Sequence, residues 1–395
     1  MSPSNTAPAH PVSLPARLPT LDGLRAIAIL LVVPHNLNLM VTSSGVAYLF
    51  VAALDRGWIG VQLFFVLSGF LITGILLDAR DSPDYYRSFF VRRVLRIFPL
   101  YYATLLVVFV LLPALGLLPA SFKRDSMVEL SYWAYFSNWY GPLHQGQGPE
   151  SASHFWSLAV EEQFYLLWPF VIHRRSAAWV LRLCLAIAVT GLWLRVVMLG
   201  MGTPTQAIYQ FLVTRMDALA LGGAAAAAFR IPSVASWALN RRYFMVGLSL
   251  LSLVAGAAVS RGYSFSDPMT LSLGYTFLAI AFALLVAAGA AADHSGPAGW
   301  LGALRWSFLR RVAKYSYAMY VLSVPLHFLV GKPVLSALGL ASSNSIIVDL
   351  TYIIVGTALS FLAAAASFHL FEVHFLDLKE RFAPSTPESA ASRGK

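Results

Sequence analysis

The chain has 395 residues, of which 58% are hydrophobic and only 12% charged, and its mean hydropathy is +0.68. A soluble protein carries roughly 25% charged residues, so a soluble globular domain is excluded. The net charge of +10 fits membrane topology rather than nucleic-acid binding, and a single cysteine, Cys184 in an apolar run, rules out a disulfide framework.

Residues 1–20, rich in Pro, Ser and Ala, read as a tail without the basic region and cleavage site of a signal peptide. Apolar runs near 20 residues then recur at approximately 24–42, 57–77, 97–118, 155–172, 177–199, 208–229, 243–260, 270–291, 315–339 and 345–373. Each can cross a bilayer core about 30 Å thick. The expected fold is all-α, a polytopic membrane bundle of about ten transmembrane helices over 21–376, followed by a second tail at 377–395. An even number of crossings puts both termini on one side. Most of the 28 basic residues fall on that side, whereas Arg56, Lys123, Arg124, Arg261 and Lys332 fall on the other. The positive-inside rule therefore places both termini in the cytoplasm.

The loop at 119–154 contains SYWAYFSNWY. Its aromatics suit an interfacial belt or a stack against a sugar ring. The segment 293–314 reads as a connector, no metal site is expected, and no soluble domain is expected after the last apolar run.

Ionisable groups inside spans are costly and usually face a bundle interior or a wet cavity. At about 1.5 Å per residue, His35 in LRAIAILLVVPHN is expected about 16 Å above the inner face, near mid-membrane. The same count puts Glu161 and Glu162 with Arg195, Arg215 and Asp217 in one layer between the midplane and the outer surface. Adjacent helical residues diverge by about 100°, so the two glutamates face different ways. Ser157, Glu161 and Tyr165 share a stripe that is expected to face the cavity. Glu162 lies on another stripe, where it is expected to pair with an arginine. At the inner mouth, FFVRRVLRIFPLYY carries Arg92, Arg93 and Arg96. Arg93 and Arg96 are one turn apart and suited to gripping a phosphate together; Arg25 belongs to the same layer. An anion-friendly inner mouth, a buried histidine and an acidic outer layer suggest a reaction carried across the membrane. A neutral imidazole there can take a proton from a hydroxyl or itself be acylated. His327, similarly deep but without an arginine beneath it, ranks second. The competing reading is a transporter or flippase of a lipid-linked or sugar substrate that uses the same charges as a relay.

Several blocks, in order, resemble the acyltransferase-3 family of integral-membrane O-acyltransferases, over roughly 20–376. They are LDGLRAIAILLVVPH, GVQLFFVLSGFLIT, VRRVLRIFPLYY, FWSLAVEEQFYLLWP, RMDALALGGAAAA, YSYAMYVLSVPLH and FEVHFLDLKERF. The resemblance implies a multi-pass enzyme of the bacterial inner membrane, surrounded by lipid. It would move an acyl group, commonly acetyl, from cytoplasmic acyl-CoA to a hydroxyl of a sugar, glycoconjugate or antibiotic. Acyl-CoA would be a co-substrate, with no tightly bound cofactor. His35, Glu161 and Glu162 become the catalytic candidates, and Arg25, Arg92, Arg93 and Arg96 the candidates for the donor. Arg195, Arg215, Asp217, Ser157 and Tyr165 become the candidates for the acceptor. The chain departs from the family pattern at three points. Nine residues rather than ten separate Arg25 from His35, which leaves the pair about 80° apart on a regular helix. Gln62 stands where the family usually has Asp, and Ser323 where it usually has His.

Overall fold

The structure is a computed structural model. It describes residues 15, 17–38, 45–117, 125–144, 148–265, 267–296, 299–340 and 345–382, the side chains of 45–48, 379 and 380 excepted. Lys123, Arg124 and most of the two expected tails lie outside the described residues. Among those described, every regular element is helical. Ten helices correspond to the ten apolar runs. They are α1 (Pro19–Leu37), α2 (Ile59–Asp78), α3 (Tyr85–Leu106), α4 (Trp156–Ile172) and α5 (Ala177–Gly200). The second five are α6 (Leu212–Ala228), α7 (Arg242–Val259), α8 (Tyr275–His294), α9 (Ser307–Leu326) and α10 (Ile346–Ser367). Nine helical segments among the described residues are long and apolar enough to cross a membrane. The tenth expected span, α4, has 17 residues and follows directly on a short 3-10 turn, Glu150–Phe155.

Helix boundaries follow local chemistry. Pro19 sits at the first helical position of α1, where its missing N–H costs nothing, and Asp22 stands in the positive first turn. Ser176 caps α5 by accepting from the Trp179 N–H. Beyond α3 and α9 the chain widens into π-turns, Val107–Leu111 and His327–Gly331. Pro113 and Pro333, four residues after Phe109 and Leu329, supply no N–H to those carbonyls, so the regular ladder is interrupted there.

The bundle has a tightly packed centre and an apolar rim. The apolar windows of the segments containing α2 and α6 are 67% buried, against 22%, 28% and 17% for those containing α5, α7 and α10. The rim helices present Leu185, Val189, Trp193, Leu251, Val254 and Leu362 outward, as lipid contact requires. In lipid there is no hydrophobic drive between helices, so close backbone approach through small residues does the joining. A Cβ on Gly69 of α2 would stand 1.9 Å from the Leu219 carbonyl oxygen, and one on Gly222 of α6 2.0 Å from that of Val66. Only glycine fits on either side of that crossing.

Buried polar ties lock the centre. Arg195 (α5) donates to Asp217 Oδ2 (2.7 Å) and the Thr214 carbonyl (2.6 Å) on α6, and to Thr276 Oγ1 (2.6 Å) on α8. Gln62 Nε2 of α2 donates to the Tyr275 carbonyl of α8 at 3.1 Å, a neutral tie between the two helices. The SYWAYFSNWY segment folds inward as two short helices, Ser126–Trp133 and Ser137–Leu143. Tyr135 stacks on Tyr101 of α3 at 4.2 Å, and Trp139 stacks on Phe211 at 4.5 Å. Gln163 of α4 pins the segment by donating to the Tyr135 carbonyl at 2.7 Å and accepting from Trp139 Nε1 at 3.1 Å. Tyr135 and Trp139 are thus held by packing, while Phe136 stays exposed.

Candidate active site

Two cavities lie back to back inside the bundle. The first, about 320 Å³, is lined by Arg25, Arg92, Arg93, Arg96, Glu161 and Tyr165 among polar groups, with Ser68, Ser157, Tyr317 and Tyr320. The second, about 610 Å³, is lined by His35, Asn36, Asp55, Arg56, His154 and Gln210, with Trp58, Trp156, Tyr209, Tyr263 and Phe265. They have two wall residues in common, Val61 of α2 and Tyr320 of α9.

The arginine cavity is built by one helix that enters earlier than its hydropathy suggests. α3 starts at Tyr85, so Arg92, Arg93 and Arg96 stand well inside the helix rather than at its mouth. Arg25 reaches the same space from α1, its Nη1 donating to Asp22 Oδ1 at 3.1 Å. None of Arg92, Arg93 and Arg96 forms an ion pair among the described residues. The Arg93 guanidinium lies over the Tyr165 ring, 5.1 Å from its centre, and the Tyr165 hydroxyl is hydrogen-bonded to Ser68. Four guanidinium groups converging without four counter-charges have the charge and fork geometry that could hold a phosphate.

Ser157, Glu161 and Tyr165 line this one cavity, as their shared stripe implies. Glu161 therefore stands among the arginines, within electrostatic reach of Arg93 and Arg25. It does not belong to a separate outer acidic layer. Glu162 points elsewhere, toward the phenols of Tyr101, Tyr135 and Tyr317. Glu162 makes no direct ion pair among the described residues, and its Oε1 is buried without a hydrogen bond, but Arg93 lies within electrostatic reach of it as of Glu161.

His35 is the seventeenth of the 19 residues of α1. It is thus near the far end of the helix rather than halfway, because α1 begins at Pro19 and stops at Leu37. Ten residues of helix, about 15 Å, separate it from Arg25, and the two open into different cavities. The His35 Nδ1 lies 3.2 Å from the Leu54 carbonyl oxygen. A carbonyl only accepts, so in the neutral ring Nδ1 carries the hydrogen and Nε2 keeps its lone pair. That is the tautomer of a poised base. Around it, Arg56 donates to the Gly262 and Ala52 carbonyls at 2.9 and 2.7 Å, and Asn38 donates to Asp55 at 3.1 Å. In the loop between α7 and α8, burial pushes the Tyr263 phenol up to about 12, which keeps it a neutral donor; it donates to the Leu253 carbonyl at 2.9 Å.

Arg195, Arg215 and Asp217, expected at a shared cavity, line neither one. Arg195 and Asp217 form the fully buried pair described above. Arg215 is 0% exposed, and all three of its guanidinium nitrogens lack hydrogen-bond partners. It is boxed by the faces of Tyr275 (4.3 Å), Tyr209 (5.1 Å), Phe65 (5.5 Å) and Trp156 (5.9 Å), a cation–π cage. His327, the second-ranked histidine, bonds Tyr352 Oη at 2.7 Å and lines neither cavity. Ser323 donates to the Tyr320 carbonyl at 3.2 Å within its own helix. Asp55, Arg56, Gln210 and Tyr320 were not among the expected site residues. The charges of Asp55 and Arg56 just before an apolar run were the one visible signal.

The fold and the paired cavities define a multi-pass membrane protein with an arginine-lined cavity and a separate histidine-bearing chamber. A family profile described as an acyltransferase domain matches residues 18–366, and the chain belongs to that acyltransferase-3 family. It is similar to YrhL of Bacillus subtilis, at 31% identity over 80% of this chain and 50% of the relative. It is also similar to the peptidoglycan O-acetyltransferase OatA of Listeria monocytogenes, at 28% identity over 78% of this chain and 49% of OatA. For the O-acetyltransferase OatA of Staphylococcus aureus the figures are 32% over 53% of this chain and 34% of OatA. The chain thus spans about half or less of the length of these curated relatives. No solved structure matches it.

Proposed function

We propose that the protein is a membrane O-acetyltransferase that moves an acetyl group from acetyl-CoA to a hydroxyl of an envelope glycan. The observation that carries this reading is the back-to-back pair of chambers. One is rich in unpaired arginines; the other holds an oriented imidazole among aromatic and polar side chains. Relatives named as peptidoglycan O-acetyltransferases support a glycan acceptor. The lopsided distribution of basic residues supports a cytoplasmic arginine end.

Arg93 and Arg96, with Arg92 and Arg25, hold the donor's phosphates, and the pantetheine arm extends from there toward Val61 and Tyr320. The second chamber receives the acceptor. Trp156 and Tyr209 offer apolar faces for a sugar ring, while Asp55 and Gln210 offer hydrogen bonds. His35 Nε2 takes the proton of the acceptor hydroxyl as its oxygen bonds to the acyl carbon. The thioester C–S bond breaks, and the sulfur leaves with the electron pair as a thiolate. The thiolate then withdraws into the donor cavity, where Glu161 is the side chain placed to protonate it. Ser157 and Tyr165 line the path of the arm.

Purified full-length protein in proteoliposomes, given radiolabelled acetyl-CoA and a glycan acceptor, should label the acceptor. His35→Ala should abolish the labelling while the protein stays in the membrane. Movement of a lipid-linked sugar with no covalent change would overturn the reading in favour of a transporter.

A further inference from the structure

The wall between the chambers is thin and is made of few atoms. Trp156 and Ser157 are neighbours in α4, yet Trp156 faces the histidine chamber and Ser157 the arginine cavity. The wall therefore passes between them. Val61 on α2 and Tyr320 on α9 complete it, each reaching both chambers, and each is mostly buried (6% and 8% exposed). Val61 is β-branched and stiff at χ1. Tyr320 is the larger element and is latched at its tip. Its hydroxyl donates to the His154 carbonyl at 2.9 Å. Having spent its one hydrogen there, it accepts from Ser157 Oγ at 2.5 Å. The His154 ring packs edge-on against the Tyr320 ring, with centroids 5.1 Å apart. A bulky ring is thus pinned by two hydrogen bonds where the chambers meet.

We propose that Tyr320, latched by Ser157 and the His154 carbonyl, is the partition between the two chambers. In this role its ring both separates them at rest and limits the size of the acyl group that can pass. The proposal rests on the functional reading above for the identity of the passing group. The partition itself is a property of the cavities alone. Moving the ring aside costs the latch bonds, while the chambers stay isolated whenever no acyl group is threading. Tyr320 acts on passage, so it is a positioning and selectivity residue rather than a catalytic one.

Two measurements test this separately. In a Cys184→Ala background, Leu71→Cys reports on the arginine cavity and Ser153→Cys on the histidine chamber. An anionic, membrane-impermeant methanethiosulfonate is applied from the vesicle face that modifies Leu71→Cys. Ser153→Cys should stay unmodified from that face with Tyr320 present and become modified with Tyr320→Ala. Tyr320→Phe, which keeps the ring and loses the latch, should fall between them. Equal modification of Ser153→Cys with Tyr, Phe and Ala at 320 would overturn the partition, whether or not the protein transfers acyl groups. In the second measurement, acetyl- and hexanoyl-CoA compete as donors. Tyr320→Ala should raise the hexanoyl-to-acetyl transfer ratio at least tenfold, and an unchanged ratio would overturn the size limit. If the native chain transfers neither group, the functional reading fails while the thiol measurement still decides the partition.

Discussion

The two chambers use opposite physical means. The arginine cavity is electrostatic: four guanidinium groups and one carboxylate shape about 320 Å³ for a charged, flexible ligand. The histidine chamber, about 610 Å³, relies on orientation instead, with aromatic walls and a ring whose tautomer is fixed by one backbone carbonyl. A charged donor can be held by many weakly directional contacts, whereas proton transfer needs one atom in one place. The division implies that damage on one side should appear as lost donor affinity and on the other as lost rate.

The largest effect is expected in the histidine chamber. Replacing His35 by Gln, similar in bulk but not a base, should lower kcat about 10²–10⁴-fold and leave the KM for donor nearly unchanged. Single-turnover transfer in proteoliposomes measures both. A large rise in donor KM would show that the two chambers are not separated by task.

A comparable free energy is expected where neither chamber is involved. Arg195→Ala leaves Asp217 as an unpaired buried carboxylate, which typically costs 3–5 kcal/mol. Detergent thermal unfolding should show a large loss of stability, and replacing both partners together with apolar residues should recover much of it. If Arg195→Ala unfolds at the native temperature yet cannot acetylate, Arg195 contacts substrate and the tie described above is incomplete.

The contrast between Arg195 and Arg93 marks where the sequence could and could not be read. The fold class, the ten helices and the shared stripe of Ser157, Glu161 and Tyr165 follow from hydropathy and a 100° step, both local properties. The convergence of Arg92, Arg93 and Arg96 follows from i, i+3 and i, i+4 spacing on one helix. Depth was the weak link. Counting from hydropathy edges assumes that every helix starts at one plane, but α1 and α3 begin well before their apolar runs, at Pro19 and Tyr85. That offset raises the arginines to the level of Glu161 and carries His35 beyond the middle of its helix. The Arg195–Asp217 pair and the Arg215 cage depend on which helices are neighbours, a tertiary fact that no spacing within one helix encodes.

On the arginine side the expected effect is on affinity. Arg93→Ala and Arg96→Ala each remove one charge-assisted contact, worth about 1.5–3 kcal/mol. Donor KM should therefore rise roughly 10- to 150-fold at low salt, with kcat changed far less. The defect should be greatest for acetyl-CoA and absent for acetyl-pantetheine, which lacks the nucleotide phosphates. Raising ionic strength should weaken the native protein's preference for acetyl-CoA more than that of either variant. An equal loss with both donors would mean that the arginines shape the cavity without touching phosphate.

The smallest effect, and the sharpest division between neighbours, is expected at the paired glutamates. Glu161 lines the donor cavity, and Glu162 faces buried phenols with an unpartnered Oε1. Glu161→Gln keeps the shape but cannot deliver a proton, so acetyl transfer should fall at least tenfold with stability nearly unchanged. Glu162→Gln removes a buried ionisable group that forms no direct ion pair among the described residues, and an amide can donate to the neighbouring phenol oxygens. Its transfer rate should stay within about twofold of the native protein's, and its thermal stability should hold or rise, since desolvating an unpaired carboxylate is the costlier state. Equal loss of activity in the two variants would mean that the 100° divergence between the neighbours does not separate their roles, and that the phenols beside Glu162 take part in the chemistry.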